Sequence, residues 1–64
     1  MRYKDIARAL GAAGFVLTRR KGSSCLFTNI KTAKKIVVPD HGTKDIALGT
    51  LKSIEKVSGV ILTK

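Results

Sequence analysis

The sequence predicts a single α+β domain in which an antiparallel three-stranded sheet carries two helices on one face, in the order α-β-β-β-α. Three observations lead there. Apolar residues near the N-terminus recur at helical spacing, and short β-rich runs separated by turn residues follow. A second helical pattern then ends at a glycine. The chain has only 64 residues, enough for one small core and one domain.

Tyr3, Ile6, Ala7, Leu10 and Ala13 make one apolar helix face of about three turns. Gly11 weakens the last turn, and Gly14 is placed to stop the helix in a left-handed conformation. Phe15 to Arg20 reads as the first strand, with Phe15 and Leu17 on the same face. Lys21-Gly22-Ser23-Ser24 reads as a turn. Cys25 to Asn29 is the second strand, with Cys25 and Phe27 sharing a face. Ile30 to Ala33 supplies the next turn. Lys34 to Val38 is the third strand, ended by Pro39, which has no N–H to donate to a continuing ladder. A polar loop around His41-Gly42 runs from Asp40 to Leu48. The second helix runs from Gly49 or Thr50 to Ser58, with Leu51 and Ile54 inward, Val57 close to that face and Gly59 as the stop. Val60 to Leu62 is a short apolar tail that packs under the helix end, adds a strand or meets a partner. Antiparallel hairpins need one covered face, and two helices on that face leave the other open to solvent.

Charge limits the function. Thirteen Lys and Arg oppose four Asp and Glu, a formal net charge of +9. Such a surface attracts polyanions, and with this fold nucleic acid is the expected partner. A chain this short has little room for a deep pocket. One cysteine, Cys25, gives no internal disulfide and no sign of an oxidising compartment. No apolar run approaches the roughly 18 residues of a membrane span, and the charged N-terminus does not look like a signal peptide. A cytoplasmic protein without membrane contact is the expectation. One Cys, one His and four carboxylates show no metal-ligand spacing, so neither metal nor cofactor is expected.

Three segments carry a family resemblance. Gly14-Phe15-Val16-Leu17 enters the first strand after a short helix. Lys21-Gly22-Ser23 is followed by two variable residues, a hydrophobic residue and Phe27. The longest runs Val37-Val38-Pro39-Asp40-His41, Lys44-Asp45-Ile46, Gly49-Thr50-Leu51-Lys52-Ser53-Ile54 and Ser58-Gly59-Val60. Their order and spacing resemble the HicA family of bacterial toxins, whose fold is similar to a double-stranded-RNA-binding domain. The resemblance implies metal-independent mRNA cleavage (an mRNA interferase, an endonuclease) and a cognate HicB-like antitoxin. It also implies a catalytic histidine directly after Gly-Ser. Here that position is Ser24, and the next, often histidine too, is Cys25.

Cleavage without a metal needs a base for the 2′-hydroxyl proton and an acid for the leaving oxygen, and histidine suits both near neutrality. A serine hydroxyl is no base near pH 7 unless another group activates it. The sequence therefore reads as a weak nuclease or none. It has either lost catalysis and kept binding, moved catalysis elsewhere, or had its histidine removed to disarm it; the last would not require a change at Cys25 as well. His41, the only histidine, is the candidate for moved catalysis; its other reading is a loop residue bonded to backbone. Cys25, alternating with Phe27, reads as a small core residue rather than a reactive thiol.

Arg19, Arg20 and Lys21 lead into Gly22-Ser23-Ser24, a basic turn beside a glycine that can approach phosphate closely. Lys44 lies before the second helix; Lys52 and Lys56 lie four apart on it, away from Leu51 and Ile54. Lys31, Lys34 and Lys35 cluster at the second hairpin, where they serve solubility or guard an edge. Tyr3, Phe15 and Phe27 are the only aromatics and fit core positions. Without a stacking platform, the inventory suits duplex RNA read by shape and phosphates. The competing function is a non-catalytic module whose main partner is an acidic antitoxin-like protein; duplex DNA is a further competitor.

Overall fold

A computed structural model describes residues 1–62. It contains α1 (Tyr3–Ala12), β1 (Phe15–Lys21), β2 (Ser24–Asn29), β3 (Lys35–Pro39) and α2 (Leu48–Ser58). The strands form one antiparallel sheet in the order β1-β2-β3. This is the α-β-β-β-α architecture expected from the sequence, with boundaries shifted by a residue or so; α2 begins at Leu48 rather than Gly49.

Alternation sorts the sheet. Cys25 and Phe27 of β2 and Ile36 and Val38 of β3 point to one face, where Ile6 and Leu10 of α1 and Leu51 and Ile54 of α2 cover them. Both helices therefore lie on that face. Ile46, in the loop before α2, completes the cluster; its N–H donates to the Met1 carbonyl at 2.8 Å. Val60 and Leu62 pack against the same core, which settles the tail as packed under the helix end. Two residues expected on or near the covered face are not covered. Leu17, opposite Phe27 on the core side of edge strand β1, and Val57 of α2 are both exposed.

The turns follow glycine chemistry where backbone demands it. Gly14 takes φ 96 after α1, and Gly22 takes φ 60 as the first central residue of a two-residue β1–β2 hairpin. The β2–β3 turn is different: Ala33 holds φ 62, a region costly for a residue with a Cβ. Ala33→Gly is therefore expected to stabilise the fold by about 0.5–1 kcal/mol, the relief of αL strain exceeding the added unfolded-state entropy. Thermal unfolding checks this, and an unchanged or lowered Tm would refute it.

Candidate functional site

The open sheet face and the turn at the β1–β2 end form the candidate site. Lys21 pairs with Ser24 and Ser24 with Pro39, so these three make the last row of the sheet. Ser24 is exposed and alternates with buried Cys25, so its side chain belongs to the open face. The Asp40 N–H donates to the Ser23 carbonyl at 2.7 Å, tying the loop after β3 to the first hairpin turn. His41 follows directly. It is exposed, and its carbonyl accepts from the Lys44 N–H at 3.2 Å. His41 thus lies two residues beyond Ser24's partner strand position, at the same end of the sheet.

A β-bulge decides which cations reach the open face. Leu17 pairs with Phe27 but Arg19 pairs with Leu26, leaving Thr18 as the extra residue. The Thr18 hydroxyl shares a hydrogen bond with Thr28 at 3.0 Å and reaches the Leu26 carbonyl at 3.3 Å. Beyond the bulge Arg20 stands opposite Cys25, on the core side, whereas Arg19 and Lys21 stand opposite Leu26 and Ser24, on the open side. The Arg19-Arg20-Lys21 run is therefore split between faces.

Arg20 is held by protein. Its Nη1 donates to the Cys25 thiol at 3.3 Å, and its Nη2 meets Asp40 Oδ2 at 2.7 Å. Asp40 Oδ1 also accepts from the Gly42 N–H at 2.9 Å. That N–H, followed by the guanidinium, holds the Asp40 carboxyl below its ordinary value of 3.8, while Asp40 raises Arg20. Cys25 is fully buried, as a core residue would be. Tyr3 borders it: burial, then the thiol, pushes the Tyr3 hydroxyl up to about 12. The Tyr3 ring lies 6.2 Å from Phe27, tilted by 50°. Phe15 and Phe27 are buried and Tyr3 half-buried, so none of the three aromatics offers a face on the open side.

The Asp40 contacts give a pH expectation. Asp40's folded pKa lies below its unfolded one, so its contribution is complete above the unfolded value and fades as pH falls through the folded one. Asp40→Asn should flatten the acid limb of stability below about pH 4. Urea midpoints at pH 6 and pH 3 test it; an equal loss between those pH values in both proteins would remove Asp40 as the cause.

The remaining predicted cations are more dispersed. Lys44 follows His41 in the loop, next to Asp45, whose Oδ1 lies 3.4 Å from the N-terminal ammonium. Lys52 and Lys56 are exposed on α2, which packs on β3. The structure thus brings Lys21, Gly22, Ser23, Ser24 and the His41 loop together and leaves Lys52 and Lys56 on the helix. Asp40, which anchors that loop, was not singled out in the sequence; a lone Asp after Pro39 carries no local signal of a partner 20 residues earlier. Among the described residues no group of three or more His, Cys, Asp or Glu side chains is placed to hold a metal. Among the same residues no helix is long and apolar enough to cross a membrane.

Fold and site define a small, strongly basic α+β domain with an open sheet face ending in a cationic hairpin. Residues 3–60 match the family model described as the HicA toxin of bacterial toxin-antitoxin systems. The chain belongs to the HicA toxin family. It is 38% identical over 60 residues to a protein of Pseudomonas fluorescens (strain Pf0-1) named probable mRNA interferase HicA, an alignment covering 94% of this chain and 97% of that one. No solved structure matches it significantly.

Proposed function

We propose that this toxin binds mRNA through the open face at the β1–β2 end, with cleavage weakened or lost, and that a HicB-like antitoxin restrains it. The observation that carries the reading is the row containing Ser24, flanked by Lys21 and adjacent to Arg19 on an uncovered face. Gly22 and Ser23 let a phosphate approach the turn backbone, and Lys44, Lys52 and Lys56 extend the cationic surface. Half of the Arg20 side chain remains accessible despite its ion pair, leaving it able to meet a phosphate as well. Ser24 occupies the family's catalytic position but has no adjacent base in the strand. His41 lies at the same end and is the candidate acid–base group, while its carbonyl serves the loop. The absence of an aromatic stacking surface favours structured RNA read by shape.

Binding to an A-form RNA duplex should exceed binding to B-form DNA of equal length and fall steeply with salt. Replacing Arg19 and Lys21 together by Ala should reduce the slope of log K against log salt by about 0.7–0.9 per lost phosphate contact. Fluorescence anisotropy across a salt series measures it. A salt-independent affinity, or a double variant with the original slope, would defeat the reading.

A further inference from the structure

We infer that the free edge of β3, together with the overhanging side of α2, is a docking groove for an extended acidic segment of a partner protein, which adds to the sheet as a fourth strand. The inference rests on the reading above that an antitoxin restrains this chain.

The backbone pattern exposes the edge. The Asn29 N–H donates to Lys34 O at 2.8 Å, and the Asp40 N–H donates to Ser23 O at 2.7 Å. With Phe27 opposite Ile36 and Cys25 opposite Val38, the antiparallel alternation directs Ile36 and Val38 toward β2. The N–H and C=O of Lys35 and Val37 therefore point to the free edge. Pro39, without an N–H, ends the donor row.

Beside that edge lies a groove of about 280 Å³ between Lys35–Val37 and the Thr50, Ser53, Ile54 and Val57 side of α2. Those α2 positions follow the i, i+3, i+4, i+7 rule, so they form one stripe. Val37 and Val57 are 57% and 45% exposed. A fourth strand pairing with Lys35 and Val37 would place its inward side chains over Val57 and Ser53, where α2 extends past the sheet. That is strand addition: backbone bonds give affinity and alternate side chains give selectivity.

Charge selects the occupant. Lys35 lines the groove, Lys34 precedes it, and helical spacing sets Lys56 beside Ser53 on the outer rim. No acidic residue lines it. Glu55 faces another way, its Oε2 accepting from the Leu62 N–H at 2.6 Å, and Asp40 is paired with Arg20. A second copy would bring its own +9 charge to the same edge. RNA offers no amide ladder to complement backbone N–H groups. A segment alternating acidic and small apolar residues satisfies both the edge and the rim.

The test is an amide NMR titration of the whole chain with a capped seven-residue peptide alternating Glu and Val, and with its Lys-for-Glu counterpart. The acidic peptide should shift Lys35, Val37, Ser53 and Val57, and the basic one should not. Val57→Lys and Val37→Pro should each weaken binding by about tenfold or more. Val57 is exposed on α2, so its variant stays folded and keeps the test valid if the proline variant does not. A parallel titration with duplex RNA should shift Arg19, Lys21 and Ser24 instead. If RNA shifts nothing while the peptide shifts the groove, the RNA reading fails and this one stands. The inference is overturned if millimolar acidic peptide leaves the groove amides unmoved. It is equally overturned if duplex RNA moves the Lys35 and Val37 amides of the free edge, or if the groove amides move with protein concentration alone, as self-association would require.

Discussion

Ser24→His should turn this chain into an mRNA-cleaving enzyme active in EDTA, faster than the parent by about 10²–10⁴-fold, the usual contribution of one positioned acid–base group. The position favours this outcome. Ser24 is exposed on the open face, paired with Lys21 and Pro39, so an imidazole there would project into solvent without disturbing the core. Its neighbours include cations suited to phosphate and, two residues past Pro39, His41. Cleavage of a labelled mRNA by the parent, Ser24→His and His41→Ala is the measurement. An inert Ser24→His protein that still binds RNA would show that more than the histidine has been lost. A parent that already cuts, and stops cutting as His41→Ala, would place the chemistry in the loop.

Asn29→Ala should cost about 2–3 kcal/mol, because it strands several backbone groups at once. Among the described residues Asn29 is the one buried polar residue, 8% exposed. Its Nδ2 donates to Ala13 O at 3.2 Å, at the end of α1. Its Oδ1 accepts from Lys31 N at 2.8 Å and Thr32 N at 3.1 Å, in the β2–β3 turn. One amide therefore joins both turns at the end of the sheet remote from Ser24; Gly14 beside it is required for its φ of 96 rather than for space. In a domain of this size the loss corresponds to a Tm fall of about 10–20 °C. Asn29→Asp keeps the acceptor but sets a carboxylate oxygen against the Ala13 carbonyl, so it should also lose stability at neutral pH. Calorimetry on the three proteins decides; a loss under about 1 kcal/mol for Asn29→Ala would mean that water replaces the amide freely.

The element order was legible because local signals agreed. Helical spacing from Tyr3 to Leu10, Gly22 at the hairpin, Pro39 after Val38 and Gly59 after Ser58 each mark a boundary that the fold keeps. The family was legible for a similar reason: its motif residues occupy those same boundaries. Asn29 was read only as the end of a strand, since its partners come from two separate turns. Ile46 looked like loop because its burial depends on the chain end crossing over it, with Arg2 bridged to Asp45. Val57 was placed close to the inward face by helical spacing, yet it is 45% exposed beside the free edge of β3. The Arg19-Arg20-Lys21 run looked like one patch because alternation alone gives no sign of an inserted residue at Thr18. Long-range pairing, rather than propensity, decides each of these positions.

The bulge at Thr18 makes β1 behave like a text whose phase changes midway. Before it, the sheet face that a residue occupies is governed by hydrophobic burial at Phe15; after it, by the polar contacts of Arg20 with Cys25 and Asp40. Each half obeys alternation, but in opposite parity. A change of length in this strand is therefore not equivalent to a change of residue: one added or removed position would exchange the roles of anchored and outward-facing cations while leaving composition and net charge almost untouched. The toxin's outward charge is in this sense encoded by strand length as well as by residue identity.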